Sequence, residues 1–428
     1  MILLREAPVA MPSEAPLTRR TALQALGAAA GVGLVGTGTA THSRETDLSA
    51  SAASAVDRTT DWPQFQGNAA KTGVAGGGPT SPDIRWEYDP EQFGYGQPAV
   101  RDGMVYVGYA EQTDEEPKER GIVALTTDGE VQWRYRTDPN ARYLSGPSVS
   151  DDFVLFGGLY RSNCPPRGAI LIALDAETGE EVYRRIVDAP IAGAPTIADG
   201  VVYTVAPDST LPEEGLLVAH EATTGEELWR MRTGPTGSSG YTSPPVAVAD
   251  GQVYLVKDSL VALDGMTGEE VWTSGGDKRL KGDHYNVPAV VGGTAYVGTG
   301  GNGGEFYAFS TDDGSLEWTF EAGADQFDAA AVTDDTVYVP VYSIDTPPEG
   351  VHALSADDGS QQWFTDESEL PLMRPPIRGE EYVYVGPAAL SPEDGSVAWT
   401  VDGDNDSTAV AGDTLYLGGE SLVAVGGE

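Results

Sequence analysis

Nine residues carry side chains that could do chemistry at positions where the rest of the chain's pattern asks for none: Tyr95, Tyr143, Tyr241, His284, Tyr285, Asn286, Asp325, Asp328 and Arg374. They lie in short segments such as Gly94-Tyr95-Gly96-Gln97, Gly240-Tyr241-Thr242-Ser243, Asp283-His284-Tyr285-Asn286 and Asp325-Gln326-Phe327-Asp328. Aromatic bodies with a few fixed polar groups suit the binding of a small ligand or a peptide, because one gives affinity and the other orientation. His284, flanked by Asp283, Tyr285 and Asn286, has the composition of a proton carrier or metal ligand. A structural reading competes with this one. The four tyrosines would pack between neighbouring sheets, the ions would be solvated, and position in a fold would carry no function of its own.

Other reaction classes find no support. The single Cys164 sits in Ser162-Asn163-Cys164-Pro165-Pro166, with neither a disulfide partner nor an activating neighbour, and reads as an inert thiol. Of the four histidines, His220 and His352 fall inside apolar runs and read as structural, and His42 lies in a polar stretch. No Ser-His-Asp spacing, H-E-x-x-H helix, phosphate loop or dinucleotide turn occurs; Gly300-Gly301-Asn302-Gly303-Gly304 reads as a hairpin loop.

The elements that must position these residues form a repeat. Ala173-Leu174-Asp175-Ala176-Glu177-Thr178-Gly179-Glu180 returns as Ala219-His220-Glu221-Ala222-Thr223-Thr224-Gly225-Glu226 and again from Ala262 to Glu269, at about the 45-residue period of β-propeller blades. Each copy reads as four short strands, since β-branched and apolar runs alternate with Gly, Asp and Pro. In the first copy these are Pro98–Val100, Met104–Gly108, Ile122–Thr126 and Val131–Tyr135, with Asp102-Gly103 and Thr127-Asp128-Gly129 as turns.

Inner strands begin at Pro98, Pro147, Pro195, Pro245, Pro288, Ala330, Pro376 and Ala409. Outer strands are marked by Trp86, Trp133, Tyr183, Trp229, Trp272, Trp318, Trp363 and Trp399. The first aromatic precedes every inner strand and none follows the last. The expected fold is therefore all-β, an eight-bladed propeller whose final blade borrows Ile84–Tyr88 as its outer strand and so closes the ring. The nine candidates would line the funnel just ahead of the inner strands.

These copies, with Asp61-Trp62-Pro63-Gln64-Phe65-Gln66-Gly67-Asn68 and Lys71-Thr72-Gly73, resemble the pyrroloquinoline-quinone (PQQ) type propeller repeat over nearly all of residues 61–428. The resemblance implies the fold and leaves the cofactor open, because the repeat is shared by quinoprotein alcohol dehydrogenases and by non-catalytic propellers such as an outer-membrane assembly lipoprotein. The dehydrogenases hold the quinone between a Trp and a disulfide of adjacent cysteines, beside a Ca²⁺. Adjacent cysteines and a C-x-x-C-H are both absent here. No cofactor is expected, with PQQ and Ca²⁺ as the alternative.

Ahead of the propeller, Thr18-Arg19-Arg20-Thr21-Ala22-Leu23 and an Ala/Gly-rich run to Ala40 resemble a twin-arginine export signal. Residues 1–40 are read as this signal, with Met11 an alternative start, and 41–60 as a flexible linker. Membrane anchoring would arise only from an uncleaved signal. The chain carries 25 Lys plus Arg against 66 Asp plus Glu, a formal net charge of −41. Molar salt, with a Debye length of about 3 Å, screens such self-repulsion, so the composition reads as a halophile's and excludes nucleic acid as a partner. The function expected is an exported, monomeric, non-catalytic binding or scaffold propeller for a protein or envelope component. The alternatives are a PQQ-dependent dehydrogenase with a divergent site, or a carbohydrate-binding or sensor propeller using Tyr241 and Tyr285.

Overall fold

In the computed structural model the described residues are 60–89, 93–111, 119–138, 141–160, 168–187, 193–207, 215–234, 245–257, 259–275, 280, 287–299, 304–323, 326–342, 349–371, 373–402 and 405–427. Among them the chain folds into eight antiparallel sheets. Blade 1 runs from Ala99–Arg101 through Met104–Glu111 and Arg120–Thr126 to Val131–Arg136, and blades 2 to 7 follow the same order outward. Blade 8 comprises Asn405–Ala411, Thr414–Gly419, Leu422–Val425 and, as its outer strand, Ile84–Tyr88. Trp86 faces Ala424 and Tyr88 faces Leu422 in that closing ladder. Arg85 reinforces it, donating from Nη2 to Asp413 Oδ2 at 3.0 Å and to the Gly427 carbonyl at 2.6 Å.

The innermost strands touch their neighbours in chain order from blade 1 to blade 7, and Asn405–Ala411 of blade 8 touches Ala99–Arg101 of blade 1. Apolar clusters fill the spaces between blades. One joins Ile377 and Tyr384 of blade 7, Leu415 and Leu417 of blade 8, and Val105 and Val107 of blade 1.

The repeated T-G-E-x-x-W has a packing reason. The outer-strand aromatics of every blade but the seventh reach across to the turn of the next blade: Trp86 Nε1 donates to Thr127 O at 2.8 Å, Trp229 to Gly265 O at 2.9 Å, Trp318 to Ala356 O at 2.8 Å and Trp363 to Pro392 O at 2.9 Å. The ring lies against the turn glycine, so a Cβ on Gly268 would stand 2.6 Å from Trp229 and one on Gly359 2.5 Å from Trp318. Both glycines also take φ of +70°, a region other residues rarely enter. The motif's Asp builds the turn itself. Asp264 Oδ1 accepts from the amides of Met266 and Thr267 and from the Thr267 hydroxyl.

Two details differ from the sequence reading. Phe93–Tyr95, Ala141–Leu144 and Gln326–Phe327 form extra short strands that pair with the second strands of blades 1, 2 and 6, so these segments are hydrogen-bonded edge rather than plain funnel lining. Met104–Glu111, read to Gly108, runs three residues further because it must pair with Phe93–Tyr95.

Candidate functional site

The segment 60–78 ahead of the first strand forms a hub inside the ring. Trp62 exchanges two backbone bonds of 2.8 Å with Val100 of blade 1, and Pro63 O accepts from Val149 of blade 2. The side-chain amide of Gln64 pairs with the backbone of Ile197 in blade 3, accepting at 3.0 Å and donating at 3.1 Å. Ala69 O, Ala70 O, Thr72 O and Gly73 O accept from Val248, Val290, Val332 and Arg378 of blades 4 to 7. Thr60 O accepts from Gly412 of blade 8, and Gly412 O from Gly78. The chain thus circles the axis once, in blade order, and satisfies inner edges that would otherwise be open. Glycine is needed where backbones nearly touch: a Cβ on Gly73 would meet Ala331 Cα at 2.9 Å, and one on Gly77 would meet Gly412 O at 2.0 Å.

Every backbone contact of the hub falls on the inner strand itself or just beyond it, so the hub closes the channel toward the first hairpin turns. The opposite end, where the inner strands begin, is the mouth. Asp328 and Arg374 stand there, each three residues ahead of its inner strand, Ala331–Val332 in blade 6 and Ile377–Arg378 in blade 7. Equal positions on adjacent blades put the two side chains within electrostatic reach of each other.

Asp328 is fixed by its neighbours. Phe327 is fully buried, its ring 5.7 Å from that of Phe306, and its amide donates to Thr299 O of blade 5. The Asp328 amide donates to Pro340 O, and its Oδ1 accepts from Ala329 N at 2.7 Å. The carboxyl keeps some surface open to solvent but is crowded by protein. Desolvation pushes it up to about 7, against the Ala329 hydrogen bond and the Arg374 charge, which both favour the anion. Arg374 is half-buried and donates to Met373 O at 3.0 Å.

Tyr95 lies elsewhere. It is buried between blades 8 and 1, its ring 5.8 Å from Tyr88, and burial raises its hydroxyl well above the ordinary value. Arg134 stacks over Tyr88 and Tyr109 beside it, at 5.5 and 5.9 Å. Tyr143 is in strand Ala141–Leu144. Tyr241, His284, Tyr285, Asn286 and Asp325 lie outside the described residues, as do Cys164 and the segment 1–59 read as export signal and linker.

His220 and His352 are buried within third strands, 3% exposed each. His352 Nδ1 meets Gln361 Oε1 at 3.0 Å between the rings of Phe320 and Phe364, and burial lowers its pKa to about 4.

The hub residues were the ones missed as a site. Lys71 is 1% exposed, and its ammonium donates to Gln64 Oε1 at 3.3 Å. Lys71 sits between the residues that bind blades 5 and 6 while Gln64 is held on blade 3, so the side chain links two parts of the hub. The signal available was a lysine in an otherwise uncharged run, Trp62 to Ser81. A separate cleft of about 350 Å³ opens between blades 1 and 2 at the turn end, where Arg101 pairs with Asp151.

A family model described as outer membrane protein assembly factor BamB matches residues 70–158, 145–212 and 213–365. The chain belongs to this family. The fold is similar to that of the quinohemoprotein alcohol dehydrogenase from Comamonas testosteroni, with a TM-score of 0.63 at 15% identity over 87% of this chain and 82% of that one. In sequence, the chain is 26% identical to a polyvinylalcohol dehydrogenase of Pseudomonas sp over 288 residues, 48% of this chain and 43% of that protein. It is 25% identical to the outer membrane protein assembly factor BamB of Yersinia pestis over 241 residues, 54% of each. The chain spans about half the length of the curated relatives it matches. The chain is thus similar both to a protein named for assembly and to proteins named as alcohol dehydrogenases.

A quinone with Ca²⁺ needs six to eight oxygen ligands at the metal. Among the described residues no three His, Cys, Asp or Glu converge on a metal position.

Proposed function

We propose that this chain is an exported, non-catalytic propeller whose mouth binds a protein or envelope component. The observation that carries the reading is the hub, which ties segment 60–78 to all eight blades and leaves a rigid bowl open at one end. Asp328 and Arg374, within electrostatic reach of each other on its wall, offer an acceptor and a donor of opposite charge to a bound group. The family's description as an assembly factor supports a protein partner. In this reading residues 1–40 are a twin-arginine export signal, 41–60 a linker and 61–428 the propeller. The net charge of −41 suits a halophile's salt-rich exterior.

A second reading, a PQQ-dependent dehydrogenase with a divergent site, is favoured by the similarity to polyvinylalcohol dehydrogenase. Tyr143, Tyr241, His284, Tyr285, Asn286 and Asp325 would complete the mouth in either case, while Tyr95, buried between blades 8 and 1, would not.

The test is comparative capture in molar KCl with the wild type, Asp328→Asn, Arg374→Gln and a turn-end control, Asp151→Asn. Partners lost from both mouth variants and kept by the control support the reading. Equal recovery by all four chains refutes it.

A further inference from the structure

The hub holds a chemical imbalance. Lys71 has three N–H donors as an ammonium, and one neutral acceptor, Gln64 Oε1, receives a bond from it, at 3.3 Å. No charged group acts on it, and burial alone lowers its pKa to about 7. Deprotonation would not remove the imbalance, because a neutral amine keeps two N–H groups. In the same segment the Trp62 indole N–H is buried without an acceptor. Among the described hub residues no buried side-chain acceptor lacks a donor. Among the side chains of the described hub, unpaired donors therefore outnumber unpaired acceptors.

Lys71 also sits in a costly backbone conformation. Its φ is +60°, a left-handed geometry that costs a non-glycine residue about 1–2 kcal/mol. A residue bearing both strain and a desolvated, poorly paired charge breaks two local rules at once, which is the pattern of sites kept for a reason beyond stability.

We propose that the hub is a buried anion site, in which a small inorganic anion of chloride size sits against the ammonium of Lys71. Water satisfies the donors less well, since each molecule brings two donors of its own; a halide brings only acceptor capacity. A larger organic anion is excluded by the enclosure of a side chain that is 1% exposed. The anion supplies the missing countercharge inside the one segment that touches every blade. Its consequence is a ring whose stability depends on the identity of the anion and not on ionic strength alone.

Two measurements on the full chain test this. Crystals grown in molar NaBr are expected to show an anomalous bromide peak beside Lys71 Nζ; a water peak without anomalous signal, or no peak, overturns the proposal. In solution, Tm is compared in NaCl and in sodium gluconate at equal ionic strength. The wild type is expected to melt several degrees higher in chloride, and Lys71→Met to lose that difference. An equal chloride advantage in both chains overturns the proposal. Lys71→Gln serves the same comparison if the methionine variant does not fold, and the bromide experiment needs no variant.

Discussion

The ring of Trp318 lies directly beneath Gly359 of the next blade, so close that a Cβ on the glycine would stand 2.5 Å from Cε3. Gly200, in a hairpin turn, has a similar φ of +79° but open space around it. Replacing each by alanine separates the two demands placed on the repeat's glycines. Gly359→Ala is expected to cost about 2–4 kcal/mol, from the left-handed backbone plus the displaced indole. Gly200→Ala should cost about 1–2 kcal/mol, from the backbone alone. Denaturant midpoints in molar salt check the order; equal losses would mean that the indole contact is not a constraint.

Blade closure leaves one aromatic without its partner. The closing blade joins Leu422–Val425 to Ile84–Tyr88 with no connecting turn, so the turn carbonyl that Trp318 finds in Ala356 does not exist for Trp399. Its buried Nε1 has no acceptor. Trp318→Phe and Trp399→Phe remove similar volumes, but the first also strands a carbonyl. The expected result is that Trp318→Phe is the more destabilising by about 1–2 kcal/mol, read from equilibrium unfolding.

Asp328 should make the chain less stable as the solution turns from acid to neutral. Its folded pKa of about 7 lies above the ordinary 3.8, so between these values the folded state holds a proton that the unfolded state has released. Stability from this group is complete below about pH 4 and is lost as pH rises toward 7. Asp328→Asn removes that slope, and the difference between wild type and variant in unfolding free energy from pH 4 to 8 measures it. Arg374→Gln should shift the inflection upward, because the guanidinium favours the carboxylate.

His352 acts in the opposite sense. Burial holds its folded pKa near 4, below the ordinary 6.5, so on acidification the unfolded chain takes up a proton first. Stability is lost as pH falls from about 6.5 through 4. His352→Phe keeps a ring between Phe320 and Phe364 and is expected to flatten that acid limb. Thermal melts of the two chains across this window give the comparison.

The blades were legible because their signal is local. Asp264, Thr267, Gly268 and Trp272 lie within nine residues of one another, and each has a turn or a ring contact to make. The closing strand was legible for the same reason, since Trp86 appears one blade early. The hub was not. Its bonds link Trp62 to Val100, Ala69 to Val248 and Gly73 to Arg378, pairings at widening separations along the chain that depend on backbone position and leave no periodic trace. Asp328 and Arg374 were each visible as an ionisable residue ahead of an inner strand. Their proximity follows from equal offsets on consecutive blades, which becomes evident only once the strands are counted from their observed starts. Tyr95 had the same offset logic but belongs to an extra edge strand that turns it between blades 8 and 1.

The most direct measurement is a titration of pyrroloquinoline quinone, with and without Ca²⁺, into the full chain in molar KCl, following quenching of its eight tryptophans. A non-catalytic binding propeller predicts no saturable quenching under either condition. Stoichiometric, saturable binding would contradict that account and make the mouth around Asp328 and Arg374 a quinone site.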